Sequence, residues 1–279
     1  MGDLAVDTAV EGSDGRYRGT LSREWEIWGP MGGYVASFAL RAAAAESAFA
    51  RPASFFCHYL GVAKFDAIDI TVDKLRSGRS AESMRVTITQ DDRLIMDASV
   101  WTVADAEGLD HDLTMPPDVE GPDGLSNFEE LFADEPEGGP PFPFWNNFEG
   151  RPIEFRREWP PAEPLDPVWR EWLRFVPTST FDDPWTDACR ALICVDVVSW
   201  PAASRPHMWK QPNVIAPSMD LYVAFHEAAP DDPWLLADGH SSFAAEGLMN
   251  WTGRLWSSER KLVASGMGQL LCRTMAAPS

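Results

Sequence analysis

The stretch Thr186–Trp200, TDACRALICVDVVSW, is apolar almost all the way round and yet carries an aspartate near its end. From Ala188 onward only Arg190 and Asp196 are charged, in a run that otherwise reads Ala188, Cys189, Ala191, Leu192, Ile193, Cys194, Val195, Val197 and Val198. A helix that is apolar on every face is buried on every face. A carboxylate on such a helix is costly unless it is paired or hydrogen-bonded, so Asp196 is either a satisfied structural acid or a working one. Nothing within the stretch separates the two readings.

Outward from it, the same kind of helix recurs. Trp28, Gly29, Pro30, Met31, Gly32 and Gly33 form a turn into an alanine-rich helix, Tyr34 to about Ser47, again apolar all round. Arg18–Trp25 reads as a strand before it, and four strand-like segments follow: Ser54–Leu60, Ile68–Leu75, Met84–Gln90 and Arg93–Val103. Two of these alternate cleanly, Ile68, Ile70 and Val72 in one, Met84, Val86 and Ile88 in the other. Around the opening stretch the order repeats: strands Ile153–Trp159 and Val168–Phe175, helix 186–200, then strands Ser218–His226, Trp234–Phe243, Asn250–Ser257 and Lys261–Cys272. The near-constant spacing of equivalent elements reads as an internal duplication. Two copies of one buried helix against a curved antiparallel sheet can pair edge to edge and so remove exposed edges. The expected fold is α+β, a double hotdog.

The duplication divides the 279 residues into a loose acidic tail, 1–15, an N-terminal hotdog, 16–115, a Pro, Gly and acidic linker, 116–150, and a C-terminal hotdog, 151–279. Periodicity is lost from about Ala104 to Pro161, a connection or a lid whose aromatics Phe142, Phe144 and Trp145 can pack on a neighbour. A formal charge of −20 argues against a nucleic-acid or anionic-membrane partner, so an anionic ligand needs a local basic patch. Cys57, Cys189, Cys194 and Cys272 lie in apolar runs without a C-x-x-C pair and read as reduced core thiols. No segment is long and apolar enough to span a membrane, and the N-terminus carries no leader or myristoylation pattern, so a cytoplasmic location is expected.

The residues resemble the acyl-CoA thioesterase II (TesB-like) family over most of the chain. In the first half the resemblance rests on GGYVASFALRAA at 32–43, SFFCHYL at 54–60, LRSGRSAESMRVTITQ at 75–90 and LDHDLTMP at 109–116. In the second half it rests on VDVVSWPA at 195–202, Arg205-Pro206-His207, APSMDLYVAFH at 216–226, WLL at 234–236 and LVAS at 262–265. The shared order of these pieces carries it. The resemblance implies a double-hotdog fold, hydrolysis of fatty acyl-CoA thioesters, no metal or organic cofactor, and an Asp, a Thr/Ser and a Gln that together hold the attacking water. Residue by residue these fall on Asp196, on Ser218, where threonine is usual, and on Gln269. An ungapped alignment puts Gly268 at the glutamine's place and Gln269 one residue late. A one-residue slip flips a strand side chain to the other face, so either a bulge at Gly266–Gly268 restores Gln269 or the triad is incomplete. The bulge is the reading adopted.

Hydrolysis without an acyl-enzyme needs a held water, a proton acceptor and donors for the oxyanion. Asp196 can accept the proton, while Ser218 and Gln269 can orient the water; otherwise Ser218 is a sheet-edge hydroxyl and Gln269 a solvent-facing amide. Gly32 and Gly33 either let substrate approach a helix N-terminus or simply form a tight turn. Arg76 and Arg79 either meet the phosphates of coenzyme A or cap a solvated turn. Gly239-His240-Ser241-Ser242-Phe243 is not a nucleophile elbow: its closing Gly is missing, and all five histidines precede Ser241. A hotdog hydratase would need a Gly-Asp-x-Asn-Pro-x-His stretch that is absent. The remaining alternative is an acyl- or acyl-CoA-binding protein that kept the fold and lost the triad. A homodimer is the expected assembly.

Overall fold

The fold is that of a computed structural model, described for residues 1–134, 142–158, 161–207 and 214–274. A short helix α1 (Leu4–Asp7) and the hairpin β1 (Glu11–Ser13) and β2 (Arg16–Thr20) lead into the long helix α2 (Gly32–Glu46). Strands β3 (Arg51–Tyr59), β4 (Ala67–Ser77), β5 (Ala81–Gln90) and β6 (Arg93–Val103) complete the first half. Helix α3 (Phe128–Leu131) precedes β7 (Phe148–Pro152), β8 (Val168–Phe175), the second long helix α4 (Pro184–Val197) and its short successor α5 (Ser199–Ser204). The chain ends with β9 (Val214–Ile215), β10 (Asp220–Phe225), β11 (Leu235–His240), β12 (Ala244–Ala245), β13 (Leu248–Ser257), β14 (Leu262–Leu271) and β15 (Arg273–Thr274).

One antiparallel sheet runs β1-β2-β4-β5-β6-β3-β10-β14-β13-β11-β8-β7, with β12 beside β13 and β9 paired separately with β15. The first six strands come from one half of the chain and the last six from the other. They join where β3 meets β10, Cys57 opposite Leu221 and Phe55 opposite Val223. Each half thus closes the other's exposed edge, which is the double hotdog expected from the repeat.

Helices α2 and α4 lie side by side on the inner face and run antiparallel. Gly33 meets Ile193 and Asp196, the Ser37 carbonyl faces the Cys189 thiol, and Arg41 reaches Asp183 and Thr186. Their all-apolar sequences are buried on every side, as such sequences require. Asp183 caps α4 by accepting from the Thr186 N–H at 2.9 Å, with Pro184 at the first helical position. The helix does not run unbroken to Trp200. Pro201 has no N–H to offer the carbonyl of Val197, so α4 stops there and α5 restarts with the proline in its first turn.

Three other expectations are corrected. Residues 1–15 are not loose: Leu4 is 2% exposed, the Gly2 N–H donates to Asn147 Oδ1 at 2.7 Å, and the Trp25 indole N–H donates to Asp7 Oδ2 at 2.9 Å. A single leucine finds a seat in the core there, a signal too small to read from an acidic segment. The strand expected over Arg18–Trp25 ends at Thr20 and gives way to a 3₁₀ turn that buries Trp25 against Tyr34, ring centroids 5.0 Å apart. The strand expected at Ile153–Trp159 lies five residues earlier as β7, Phe148 opposite Phe175; its Gly150 and Pro152 hid it, and Trp159 falls outside the described residues. Phe144 does pack inward, against Trp25 and Phe148.

Candidate active site

The start of α2 packs on the end of α4, and Gly33 sets how closely. A β-carbon at Gly33 would stand 3.1 Å from Ile193 Cα and 3.3 Å from Asp196 Cβ, so a larger residue would push the helices apart. At this approach the Gly33 N–H donates to Asp196 Oδ2 at 2.8 Å. Asp196 is 4% exposed, and its other oxygen, Oδ1, is buried with no hydrogen-bond partner. Burial pushes its carboxyl up to about 6, against the pull of the Gly33 N–H and the positive end of α2, both of which favour the anion. It is therefore ionised near neutral pH, yet basic enough to take a proton. A buried oxygen left unsatisfied calls for a partner, which a reacting water supplies in a working site.

Next to this carboxylate is a hydroxyl that the sequence reading passed over. Tyr59 ends β3 on the inner face, following Phe55 and Cys57. Its Oη is buried and unpartnered; the Cys57 thiol is close by, but a thiol is a weak acceptor and the geometry of a hydrogen bond is not met. A β-carbon built at Gly32 would lie 3.1 Å from both Tyr59 Oη and Asp196 Oδ2, so the two oxygens flank one small space over that glycine. Gly32, Tyr59 and Ser218 line a cavity of about 310 Å³ with apolar walls that include Trp28, Val62 and Ile95. Ser218 is brought there by the strand join: it bridges to Leu270, Met219 N–H donates to the Gln269 carbonyl at 2.8 Å, and Tyr59 N–H donates to the Met219 carbonyl at 2.9 Å. The strict inward alternation of β3 was the signal that would have found Tyr59.

Gln269 is not part of this cluster, and the bulge expected at Gly266–Gly268 is absent. Strand β14 pairs with β13 in regular register there, Thr252 opposite Met267, Trp251 opposite Gly268 and Asn250 opposite Gln269. Gly266, Gly268 and Leu270 face inward and are buried, whereas Met267 and Gln269 are exposed on the outer face. The glycines serve close approach instead: a β-carbon at Gly266 would stand 2.7 Å from Val195 Cγ1, and one at Gly268 only 2.5 Å from the Asp220 carbonyl oxygen. Gly266 lets α4 lie low on the sheet, and Gly268 lets the start of β10 come close to β14.

Arg76 and Arg79 are at the far end of the strands. Arg76 shares a row with Ser83, Trp101 and Ser54, five residues along β3 from Tyr59, which is about 17 Å at strand spacing. Among the described residues, the cation that lines the cavity is Arg273. Gly33 spends its N–H on Asp196, so of the two glycines Gly32 is the one facing the cavity. The Ser241 hydroxyl is committed to the Asn250 carbonyl at 2.6 Å, while His240 pairs with Asp238. All four cysteines are free, and burial pushes the Cys189 and Cys194 thiols up to about 12.

Two family models match the chain, the acyl-CoA thioesterase N-terminal domain over residues 21–103 and the acyl-CoA thioesterase C-terminal domain over residues 120–271. Among solved structures it is similar to a conserved protein of unknown function with a hotdog fold from Alicyclobacillus acidocaldarius, at 21% identity and a TM-score of 0.79 over 99% of this chain and 98% of that one. It is likewise similar to the acyl-CoA thioesterase II TesB2 of Mycobacterium marinum, at 21% identity and a TM-score of 0.79 over 98% and 99% of the two chains. A tesB protein of Mycobacterium avium subspecies paratuberculosis matches at 22% identity and a TM-score of 0.73 over 97% and 98%. No curated protein matches by sequence. At such identities the structures speak for the fold, and the two family models speak for the family.

Proposed function

The chain belongs to the acyl-CoA thioesterase family and is a thioester hydrolase, and on that premise we propose that it hydrolyses fatty acyl-CoA to free acid and coenzyme A by attack of a water activated by Asp196. The observation that carries this reading is the half-satisfied carboxylate: Gly33 fixes Oδ2, Oδ1 is left buried without a partner, and the group sits against Gly32, which lines the cavity. In this mechanism Asp196 takes a proton from the water as its oxygen bonds to the thioester carbonyl carbon, with Ser218 orienting the water. The tetrahedral intermediate collapses, the C–S bond breaks, and the sulfur of coenzyme A takes the proton back from Asp196. The start of α2 at Gly32 lends positive potential to the carbonyl oxygen. In place of Arg76 and Arg79, we assign Arg273 to the anionic part of coenzyme A, the local basic group that a chain of charge −20 requires.

The competing reading, a weak or inactive acyl-CoA-binding protein, is favoured by one observation, the outward-facing Gln269. Release of free thiol from a panel of acyl-CoAs separates the two: turnover lost in Asp196→Asn supports hydrolysis, and tight binding without thiol release supports the binding protein. We further propose two hotdog units, 16–115 and 151–279, joined by 116–150, acting in lipid metabolism. The free thiols fit a reducing, cytoplasmic setting. Among the described residues no helix is long and apolar enough to cross a membrane.

A further inference from the structure

Within the fold the Tyr59 hydroxyl does nothing. It is buried, it makes no hydrogen bond among the described residues, and a buried donor in that condition is costly unless something else fills the space in front of it. The neighbouring Asp196 Oδ1 is in the same condition, and the two side chains flank the same point over Gly32, 3.1 Å from Tyr59 Oη and 3.1 Å from Asp196 Oδ2. Tyr59 also lines the cavity that Ser218 and Gly32 line. An unpartnered hydroxyl beside a half-satisfied carboxylate, at the wall of a cavity, asks for a ligand that offers a lone pair to the first and a hydrogen to the second.

We propose that Tyr59 is a catalytic residue whose O–H donates a hydrogen bond to the thioester carbonyl oxygen and stabilises the charge that develops there as water attacks. The assignment rests on the reading of the chain as a thioesterase with Asp196 as base. The division of labour follows from the chemistry of the two groups. Burial, with the fields of Cys57 and Asp196, holds the phenol well above its ordinary value, so Tyr59 keeps its proton wherever Asp196 has lost its own. An acceptor and a donor then stand side by side. As the water oxygen bonds to the carbonyl carbon, its proton passes to Asp196 and the C=O electron pair moves onto the carbonyl oxygen. There the Tyr59 O–H meets it without giving up its hydrogen. When the pair returns, the C–S bond breaks and the sulfur takes the proton from Asp196. The amide of Gln269, which the family resemblance implies as a holder of the attacking water, faces the opposite side of the sheet and brings no donor to the carbonyl oxygen.

The test is Tyr59→Phe, which keeps the ring and removes only the unpartnered oxygen, so its thermal midpoint should not fall. Thiol release from acyl-CoA should drop about 100- to 1,000-fold in kcat, the loss typical of one oxyanion donor, with KM little changed. The acidic limb of the pH profile should stay where it is in the wild type, because the base is untouched. Wild-type turnover in Tyr59→Phe, alongside an inactive Asp196→Asn, would overturn the assignment of Tyr59 and leave the thioesterase reading standing. A loss of rate accompanied by a displaced acidic limb would also overturn it, since Tyr59 would then be acting through Asp196. A wild-type protein that releases no thiol from any acyl-CoA would overturn both.

Discussion

Asp196→Asn should abolish thiol release while making the protein more stable at neutral pH. The folded carboxyl sits at about 6 against an ordinary 3.8 because it is buried. A raised value means that its contribution to stability is full below about pH 4 and is lost as pH rises through 6. Above that range the wild type carries a buried charge that asparagine does not, a difference of about 2–3 kcal/mol. Urea unfolding at pH 4 and pH 8 measures it, and a gap that fails to grow with pH would contradict the burial. The wild-type rate should fall as pH drops through 6. At Ser218, replacement by alanine should raise the barrier by about 1.5–4 kcal/mol if the hydroxyl orients the water. Gln269→Ala should turn over at the wild-type rate, since the side chain lies on the outer face. The places of Asp196 and Ser218 were legible from the family resemblance, with a serine at 218 where threonine is usual. The place of Gln269 was not legible, because a bulge and a close helix approach both call for glycine and only the register of β14 tells them apart.

The helices were readable from the sequence because greasiness on every face has one physical consequence, burial on every face. Their mutual approach was not. Gly33→Ala places a methyl 3.1 Å from Ile193 Cα and 3.3 Å from Asp196 Cβ, closer than α2 and α4 can accept without moving. We expect a loss of about 1–3 kcal/mol in stability by urea unfolding, the usual cost of overpacking, together with a drop in kcat as the Gly33 N–H leaves Asp196. Unchanged activity in that variant would mean that the α2–α4 contact does not position the carboxylate. Strands were legible where apolar and polar residues alternate, as in β5, and misplaced where Gly150 and Pro152 interrupt the alternation, as in β7.

Phe243, Leu248, Met267 and Tyr222 are exposed on strands and connections of the second half. They offer apolar area for the homodimer we expect, and light scattering at micromolar concentration should give about twice the 31.0 kDa of one chain. A monomer mass would contradict it. The sequence by itself determined that the chain duplicates a helix-and-sheet unit, because hydrophobic period and element order are local properties repeated along it. It also determined that Asp196 is a buried acid. Tertiary structure alone decided which polar groups gather between that acid and the cavity. Gly32, Tyr59 and Asp196 belong to α2, β3 and α4, Ser218 precedes β10, and the register between β3 and β10 and the antiparallel contact of α2 with α4 bring them together. The register of β14 on β13 turns Gln269 outward, and the row through β4, β5, β6 and β3 holds Arg76 at the other end of the sheet, because a side chain's face and row are fixed by strand pairing rather than by its neighbours in sequence.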